Sequence, residues 1–469
     1  MRMLVTVEFA DAGKKTGTHR VLVVGGCRNT TAPGDIGMTL DEAKTLLSAL
    51  QWEFIAAQAA ELTELAQRCA ACGRRLKIKD WARRAVHTLF GRVLLPSPRL
   101  VSCPCDGSPP RAISPLKGWL ARSSQELCYQ AAKWGSAHSY RQAAAILHEL
   151  LGVDLSFGYI GVRKAVLKAG ERLDREPTIA HEPDLPPRPG EAPPALTLAF
   201  DGGYVRRTRK GPRRNFEILT GACEKGGKIK VFATAFKAPR TLRRRLARFV
   251  GRVGVAAGRP VALMTDGAES LLRLKQLLPI PTRFVLDYFH VAMKMRHVDQ
   301  CIGRIPPRPL SPSDSVFELY DRFNYLRGYL WSGRRDKFKE SFERLLWLLG
   351  RACDEMPDCE RSASMAIGHR CDLEAYLQKN ETGVVNYREW RNTGRRISTS
   401  AVQGTVNRLI GRRMCKGQHM CWSKRGAHLL LQVRCAALNG DLLAGFQRWF
   451  PSVATRRIMM PWDWLPHRS

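Results

Sequence analysis

The sequence predicts a multi-domain α/β protein, and three observations carry that reading. Residues 196–290 alternate strand-like and helix-like runs. On both sides of them, apolar residues recur three and four apart, as amphipathic helices require. Two proline-rich breaks divide the chain: seven prolines lie between Glu176 and Ala195, and a second cluster covers 305–314. Such segments hold neither a helix nor an internal strand. At roughly 150 residues per domain, 469 residues fit about three domains.

Charge narrows the class of partner. Lys and Arg number 76 against 42 Asp and Glu, a formal excess of +34. A polyanion is the expected partner, with nucleic acid first and a membrane surface second. No run approaches the ~20 apolar residues that span a bilayer, so no membrane role through a spanning segment is expected. The start, MRMLVTVEFADAGKK, turns acidic before an apolar region develops, which argues against a signal peptide. The 14 cysteines are mostly scattered, which suits a reducing, cytoplasmic compartment.

Residues 1–67 form an N-terminal segment. Two β-like runs, LVTVEF and RVLVV, precede a helical pattern from Leu40 to Gln67. Residues 68–110 carry Cys69-Ala-Ala-Cys72 and Cys103-Pro-Cys105, with 30 residues between the pairs. Each pair can chelate from a tight turn, and four thiolates make a closed tetrahedral zinc site. Reduced, metal-free cysteines are the alternative. Residues 111–175 show three helices: one opened by a capping box of Ser123 and Glu126 and ending near Gly135, one opened by Ser139 with Gln142 and stopped by Gly152, and one opened by Ser156. The last two suit a helix-turn-helix, with Arg163, Lys164 and Lys168 facing phosphates and Tyr159 a base edge. A plain helical bundle reads the same way. Residues 176–195 are a linker.

In the segment 196–290, LTLAF ends in Asp201, FEILTGAC and IKVFATAF follow, and a basic helix covers 240–256. VALMT ends in Asp266, 268–278 make a short helix, and RFVL ends in Asp287. Short links make the first three strands antiparallel, and helices allow the later ones to be parallel. That is the order of an RNase H-like core, a mixed sheet with helices. Carboxylates at such strand ends converge, so Asp201 and Asp266 can hold Mg²⁺, a hard cation that takes oxygen ligands. Two such ions can activate a water or a 3′-hydroxyl and stabilise the leaving oxygen of a phosphodiester. An Asp-Gly pair after a strand also serves simply as a turn. Basic clusters add an electrostatic footprint: Arg206, Arg207, Arg209, Lys210, Arg213 and Arg214; then Arg243, Arg244, Arg245 and Arg248; then Arg408, Arg412, Arg413 and Lys416.

The segments FDGGYV (200–205), MTDGAESL (264–271), LDYFHV (286–291) and ISTSAVQGTVNRLIGRRMCKGQHMCWSKRGAHLLLQVR (397–434) resemble bacterial insertion-sequence transposases of the ISKra-like branch, related to Mutator-type transposases. TLDEAKTLLSALQ (39–51), TLFGRVLLPSPRL (88–100) and the cysteine pairs extend the resemblance over most of the chain. It implies an RNase H-like catalytic core (196–304 and 395–440), a helical insertion (305–394), a mainly helical N-terminal DNA-binding region and a C-terminal tail (441–469). It also implies two Mg²⁺ ions, double-stranded DNA (transposon ends and target) as partner, a homodimer or larger synaptic assembly, and a nucleoid-associated bacterial protein. Asp201 and Asp266 match the first two acids of an Asp-Asp-Glu triad, and Asp287 with His290 matches an Asp-x-x-His motif. The third acid departs from the pattern: the aligned residue is Gln403. An amide carbonyl can ligate Mg²⁺ but adds no charge and cannot act as a base, so the resemblance implies an impaired transposase. Glu389 or Glu381 could replace the missing acid. A DNA-binding protein without catalysis and an RNase H-like nuclease are the other readings.

Overall fold

The computed structural model describes residues 3–11, 14–24, 37–119, 121–176, 196–208, 214–225, 228–255, 261–307, 317–399, 404–405, 407–415 and 420–451. The proline-rich linker from 177 to 195, and Arg209, Lys210, Arg213, Gln403 and Lys416, lie outside the described residues. The protein is mixed α/β and divides into two compact units: Met1–Leu173 with Gly440–Ser469, and Asp174–Asn439. No single helix among the described residues is long and apolar enough to cross a membrane.

In the first unit, β1 (Met3–Asp11) and β2 (Lys14–Val24) form an antiparallel hairpin. Helix α1 (Leu40–Ala66) follows, opened by a capping box in which Thr39 and Glu42 satisfy each other's backbone N–H. Its Ile55 and Ala59 pack with Val93, Leu95 and Leu116. The strands β3 (Ile78–Thr88) and β4 (Gly91–Val101) pair antiparallel, and the short β5 (Ala112–Ile113) extends the sheet. The sequence reading left this hairpin out. Pro96 and Pro98 interrupt an otherwise alternating run, and proline inside a run argues against a strand.

A short helix, α2 (Leu116–Trp119), leads to α3 (Gln125–Ala137), α4 (Tyr140–Leu151) and α5 (Tyr159–Arg175). The α4 capping box of Ser139 and Gln142 and the left-handed Gly152 that ends α4 are as expected. Two starts are corrected. Ser124, not Ser123, caps α3, accepting from the Leu127 N–H, and α3 runs past Gly135 to Ala137. Ser156 does not open α5; its N–H and hydroxyl both donate to Asp154, closing a turn three residues earlier. The helix Leu442–Trp449 belongs to this unit and packs on α3, with Tyr129 edge-on to Phe446 at 5.4 Å.

The second unit is built on five strands in the order β10-β9-β6-β7-β8. They are β6 (Thr197–Arg206), β7 (Asn215–Lys225), β8 (Lys228–Thr234), β9 (Val261–Thr265) and β10 (Thr282–Leu286). β6, β7 and β8 are antiparallel neighbours, whereas β9 runs parallel to both β6 and β10. One correction bears on the site: Asp201 does not end its strand. β6 continues through Gly202 and Gly203 and stays paired to β7 as far as Arg206. Two adjacent glycines read as a turn, but here they are ordinary strand positions.

Helix α6 (Pro239–Val253) covers one face of the sheet through Leu246 and Phe249 against Phe200, Phe232 and Leu263. On the other face Ala199, Met264 and Val285 pack with Tyr387 and Trp390. The expected single helix over 268–278 is two short ones, α7 (Glu269–Leu272) and α8 (Leu274–Leu277). Helix α9 (Tyr288–Ile302) then joins α10 (Glu318–Trp331), α11 (Arg335–Glu355) and α12 (Glu360–Lys379) around a core of Val298, Phe323, Leu345 and Leu373. A short α13 (Tyr387–Asn392) and a π-helix (Asn407–Cys415) precede the buried helix Lys424–Leu438, which packs on β8. Trp422 is buried in the core.

Candidate metal centres and basic surfaces

The sheet sets the carboxylates side by side. The parallel β6–β9 pairing aligns Ala199 with Met264, so two residues further along Asp201 comes level with Asp266, 65 positions away in sequence. Asp266 directly follows β9 and Asp287 directly follows β10. Asp201 Oδ1 accepts from the Gly202 N–H at 2.7 Å, and Asp266 Oδ1 from the Ala268 N–H at 2.9 Å. Both carboxylates keep a second oxygen that no described hydrogen bond uses. Burial pushes the Asp201 carboxyl above its ordinary value, the Gly202 N–H opposes that, and the charges of Asp266 and Asp287 add to the rise. The nearby His290 lowers it in turn, so burial is the main cause of the rise.

The Asp-Gly turn at 266–267 is fixed by packing. Gly267 has φ +81°, and a Cβ there would meet the Asn380 side chain at 2.3 Å. Only glycine fits both conditions.

Asp287 plays another part. It is fully buried and caps α9, accepting from the Phe289 N–H at 2.8 Å and the Thr399 N–H at 3.1 Å through Oδ1. Its Oδ2 meets His290 Nδ1 at 2.8 Å and takes the Thr399 hydroxyl. Four partners occupy this carboxylate, so it orients its neighbours. Hydrogen bonding to Asp287 raises the His290 imidazole above its ordinary value, and burial opposes it. Two residues the sequence reading missed hold the edge in place: Tyr376 donates its hydroxyl to the Asp266 carbonyl at 2.8 Å, and Thr399 anchors Asp287. Tyr376 is 110 positions from Asp266, and nothing local marks it. Glu381 and Glu389 are exposed; Glu381 lies 3.7 Å from Arg335, and Glu389 lines a cavity with Arg283 and Trp390.

The cysteines gather in the first unit. The sulfurs of Cys69, Cys72, Cys103 and Cys105 all lie within 4.8 Å of one another. Cys69 and Cys105 are 3.6 Å apart, and Cys72 and Cys103 are 3.5 Å apart. Tetrahedral zinc with ~2.3 Å bonds sets its sulfurs about 3.8 Å apart, so the quartet fits a metal such as zinc. The β3–β4 hairpin explains the wide spacing, because it returns the chain to its starting point. Gly73, at φ +71°, closes the first turn on the Cys69 carbonyl at 2.8 Å. The backbone N–H groups of Cys72 and Ala71 lower the Cys69 thiol to about 7, and its hydrogen bond to Cys69 pushes Cys105 up to about 12. Within the quartet, ionisation is thereby favoured at Cys69.

The basic residues separate into exposed and structural ones. Arg163, Lys164 and Lys168 are exposed on α5, and Tyr159 stacks under Arg141 at 5.5 Å. Arg206 and Arg214 are exposed, whereas Arg207 is half-buried over the Phe216 ring at 5.6 Å. The patch expected at 243–248 is only half a patch. Arg243 and Arg244 face solvent, but Arg245 is buried in a two-point contact with Asp174, at 3.0 and 2.9 Å, and Arg248 donates to the Asp174 carbonyl. In the third patch Arg413 is fully buried under Trp422, so only Arg408 and Arg412 of the described residues are exposed. Helical phase decides this on α6: Arg245 falls on the same face as Leu242, Leu246 and Phe249, which pack into the core, whereas Arg243 and Arg244 fall on the other side.

No model of a known protein family matches this chain, and no curated protein matches it.

Proposed function

We propose that the second unit is an RNase H-like core and that the protein is an insertion-sequence transposase, acting on double-stranded DNA with Mg²⁺, with an active site impaired at Gln403. The observation that carries the reading is the parallel β6–β9 register, which ends at Ala199 beside Met264 and so brings Asp201 and Asp266 to neighbouring positions at one edge of the sheet, with the Asp266 charge among the causes that raise the Asp201 carboxyl. The strand order, with three antiparallel strands followed by two parallel ones, supports the same reading. Two adjacent carboxylates fit hard divalent cations, which at such a site polarise a water or hydroxyl and offset charge on a leaving oxygen.

The chain's own residues supply the rest. Asp201 and Asp266 hold the cations. Tyr376 and Gly267 fix the Asp266 turn. Asp287, His290 and Thr399 lock the start of α9 beside it. Arg206 and Arg214, exposed at the far end of β6 and the start of β7, bind the DNA backbone without reading sequence. Arg163, Lys164 and Lys168 on α5 serve end recognition.

Gln403 supplies no negative charge, and a missing charge at short range in a metal site is worth several kcal/mol. At ~1.4 kcal/mol per factor of ten, the rate falls by several orders of magnitude. The same substitution favours a second reading, a DNA-binding protein that retains end recognition without catalysis. The test is strand cleavage, with Mg²⁺, of DNA carrying the gene's flanking repeats. Gln403→Glu should cleave at least ~100-fold faster than the wild type, and adding Asp201→Asn should abolish that cleavage. Equal rates for wild type and Gln403→Glu would sink the impairment. No cleavage by either, with binding intact, favours the second reading.

A further inference from the structure

We propose that the open face of the β3–β4 hairpin binds single-stranded DNA, with the Trp81 indole stacking on an unpaired base. The hairpin pairs Trp81 with Pro98, Arg83 with Pro96 and Ala85 with Leu94, which puts these side chains on one face. The opposite face carries Val93 and Leu95, which pack with Ile55 and Ala59 of α1. Helix α3 meets β3 at its far end, where His87 bridges to Ser123. Between those contacts the face is open: Trp81 is 60% and Leu94 50% exposed, and Arg83, Arg92 and Pro96 are exposed beside them. Among the described residues, no ring contact or hydrogen bond engages the indole. An apolar patch rimmed by charge marks an interaction surface.

The occupant follows from charge and shape. Arg83 and Arg92 stand on the face, and the exposed Arg74, Arg75 and Lys77 lead into β3 from the cysteine turn. The neighbouring carboxylates are engaged elsewhere. Asp80 lies on the α1 side of the strand in an ion pair with Arg99, and Asp154, beside the Arg92 end, accepts from the Ser156 N–H. Cations around a flat, open ring fit a nucleic-acid strand, with phosphates on the arginines and a base on the indole. In a duplex the bases cover each other's faces, so stacking on Trp81 needs an unpaired one. Between its arginines the face offers apolar groups, which suit sequence-tolerant stacking rather than the reading of base edges in a groove. That the strand is single follows from the hairpin; that it is DNA rests on the function proposed for the sheet.

The test is fluorescence anisotropy of the zinc-loaded full chain, without Mg²⁺, against one sequence of about 20 nucleotides offered as a DNA strand, an RNA strand and a DNA duplex. Other basic surfaces also attract DNA, so the readout is the ratio of strand to duplex affinity. Trp81→Ala should weaken binding of the DNA strand at least ~5-fold and that of the duplex less than ~2-fold. Trp81→Phe, which keeps a ring, should retain most of the strand affinity, whereas Trp81→Leu, which keeps only apolar bulk, should lose it. Arg83→Ala should weaken strand binding and lower its salt slope by about 1. Far-UV circular dichroism and zinc content check the fold; if Trp81→Ala does not fold, the Phe and Leu variants carry the comparison. Trp81→Leu binding the strand as tightly as the wild type overturns the proposal, and so does a wild type that prefers the RNA strand to the DNA strand. Failure of the cleavage reading is separate, because no Mg²⁺-dependent step enters this assay.

Discussion

The cysteine quartet and the carboxylate edge are both ligand sets made of four or fewer side chains, yet they are built in opposite ways. The cysteines come from two local turns, exposed or half-exposed, at the foot of one hairpin. Each turn prepares its own pair, and the hairpin only has to close. Asp201 and Asp266 come from two parallel strands with a β-meander and a helix between them. Neither has a local motif beyond an Asp-Gly step, and their meeting depends on the register of the whole sheet. The electrostatics differ accordingly. The exposed thiols include one lowered to about 7, ready to ionise for a metal, whereas the half-buried Asp201 is raised by its surroundings. A site made of local turns depends on its ligand for its fold. A site made of a sheet has its fold from the pairing of the strands themselves.

That contrast breaks most sharply on metal removal. Chelation, or Cys72→Ser, should release one metal equivalent and abolish amide-exchange protection in the β3–β4 hairpin, because structural zinc contributes about 10 kcal/mol or more to such regions. Protection in β6–β10 should be untouched; a hairpin that stays protected without metal removes the contrast. Next in size is Thr399→Val. It takes a hydroxyl and no backbone group from the buried Asp287, and a lost partner at a buried carboxylate costs about 1–3 kcal/mol in denaturant unfolding. An unchanged midpoint would mean that His290 and the two N–H groups suffice.

The smallest effect concerns Asp201 and has a definite sign. Its folded carboxyl lies above the ordinary value of 3.8, so the folded state binds the proton more tightly than the unfolded one. Stability of the metal-free protein should rise as pH falls from neutrality through the folded value toward 4. The gain should vanish in Asp201→Asn and should shrink when Mg²⁺ is present. Thermal unfolding at several pH values, with and without Mg²⁺, measures it. A gain that survives in Asp201→Asn assigns it elsewhere.

Much of this was legible in the residues. The order of strands and helices over 196–290 follows from alternation and from the Gly and Pro steps between runs, and the long α1 follows from its period. The two cysteine pairs are visible in the spacing, whereas the β3–β4 hairpin that joins them into a quartet is not. The misreadings have specific causes. Gly202-Gly203 looks like a turn because glycine is common there, but the β7 partner keeps the strand going. Ser123 has the Glu three residues on that a capping box needs, but it is held in a bridge to His87 of β3, and Ser124 takes the cap. Arg245 reads as surface charge until α6 is given a buried face and Asp174 a place beside it.

Chain composition and local pattern determined the charge excess, the element order and the paired cysteines, because these depend on residues within a few positions of one another. Tertiary structure alone decided that Tyr376 holds the Asp266 backbone and Thr399 the Asp287 carboxylate, and which arginines turn inward. Those outcomes depend on strand register and helix phase, which are set by packing between segments far apart in the chain. No short window of sequence contains them.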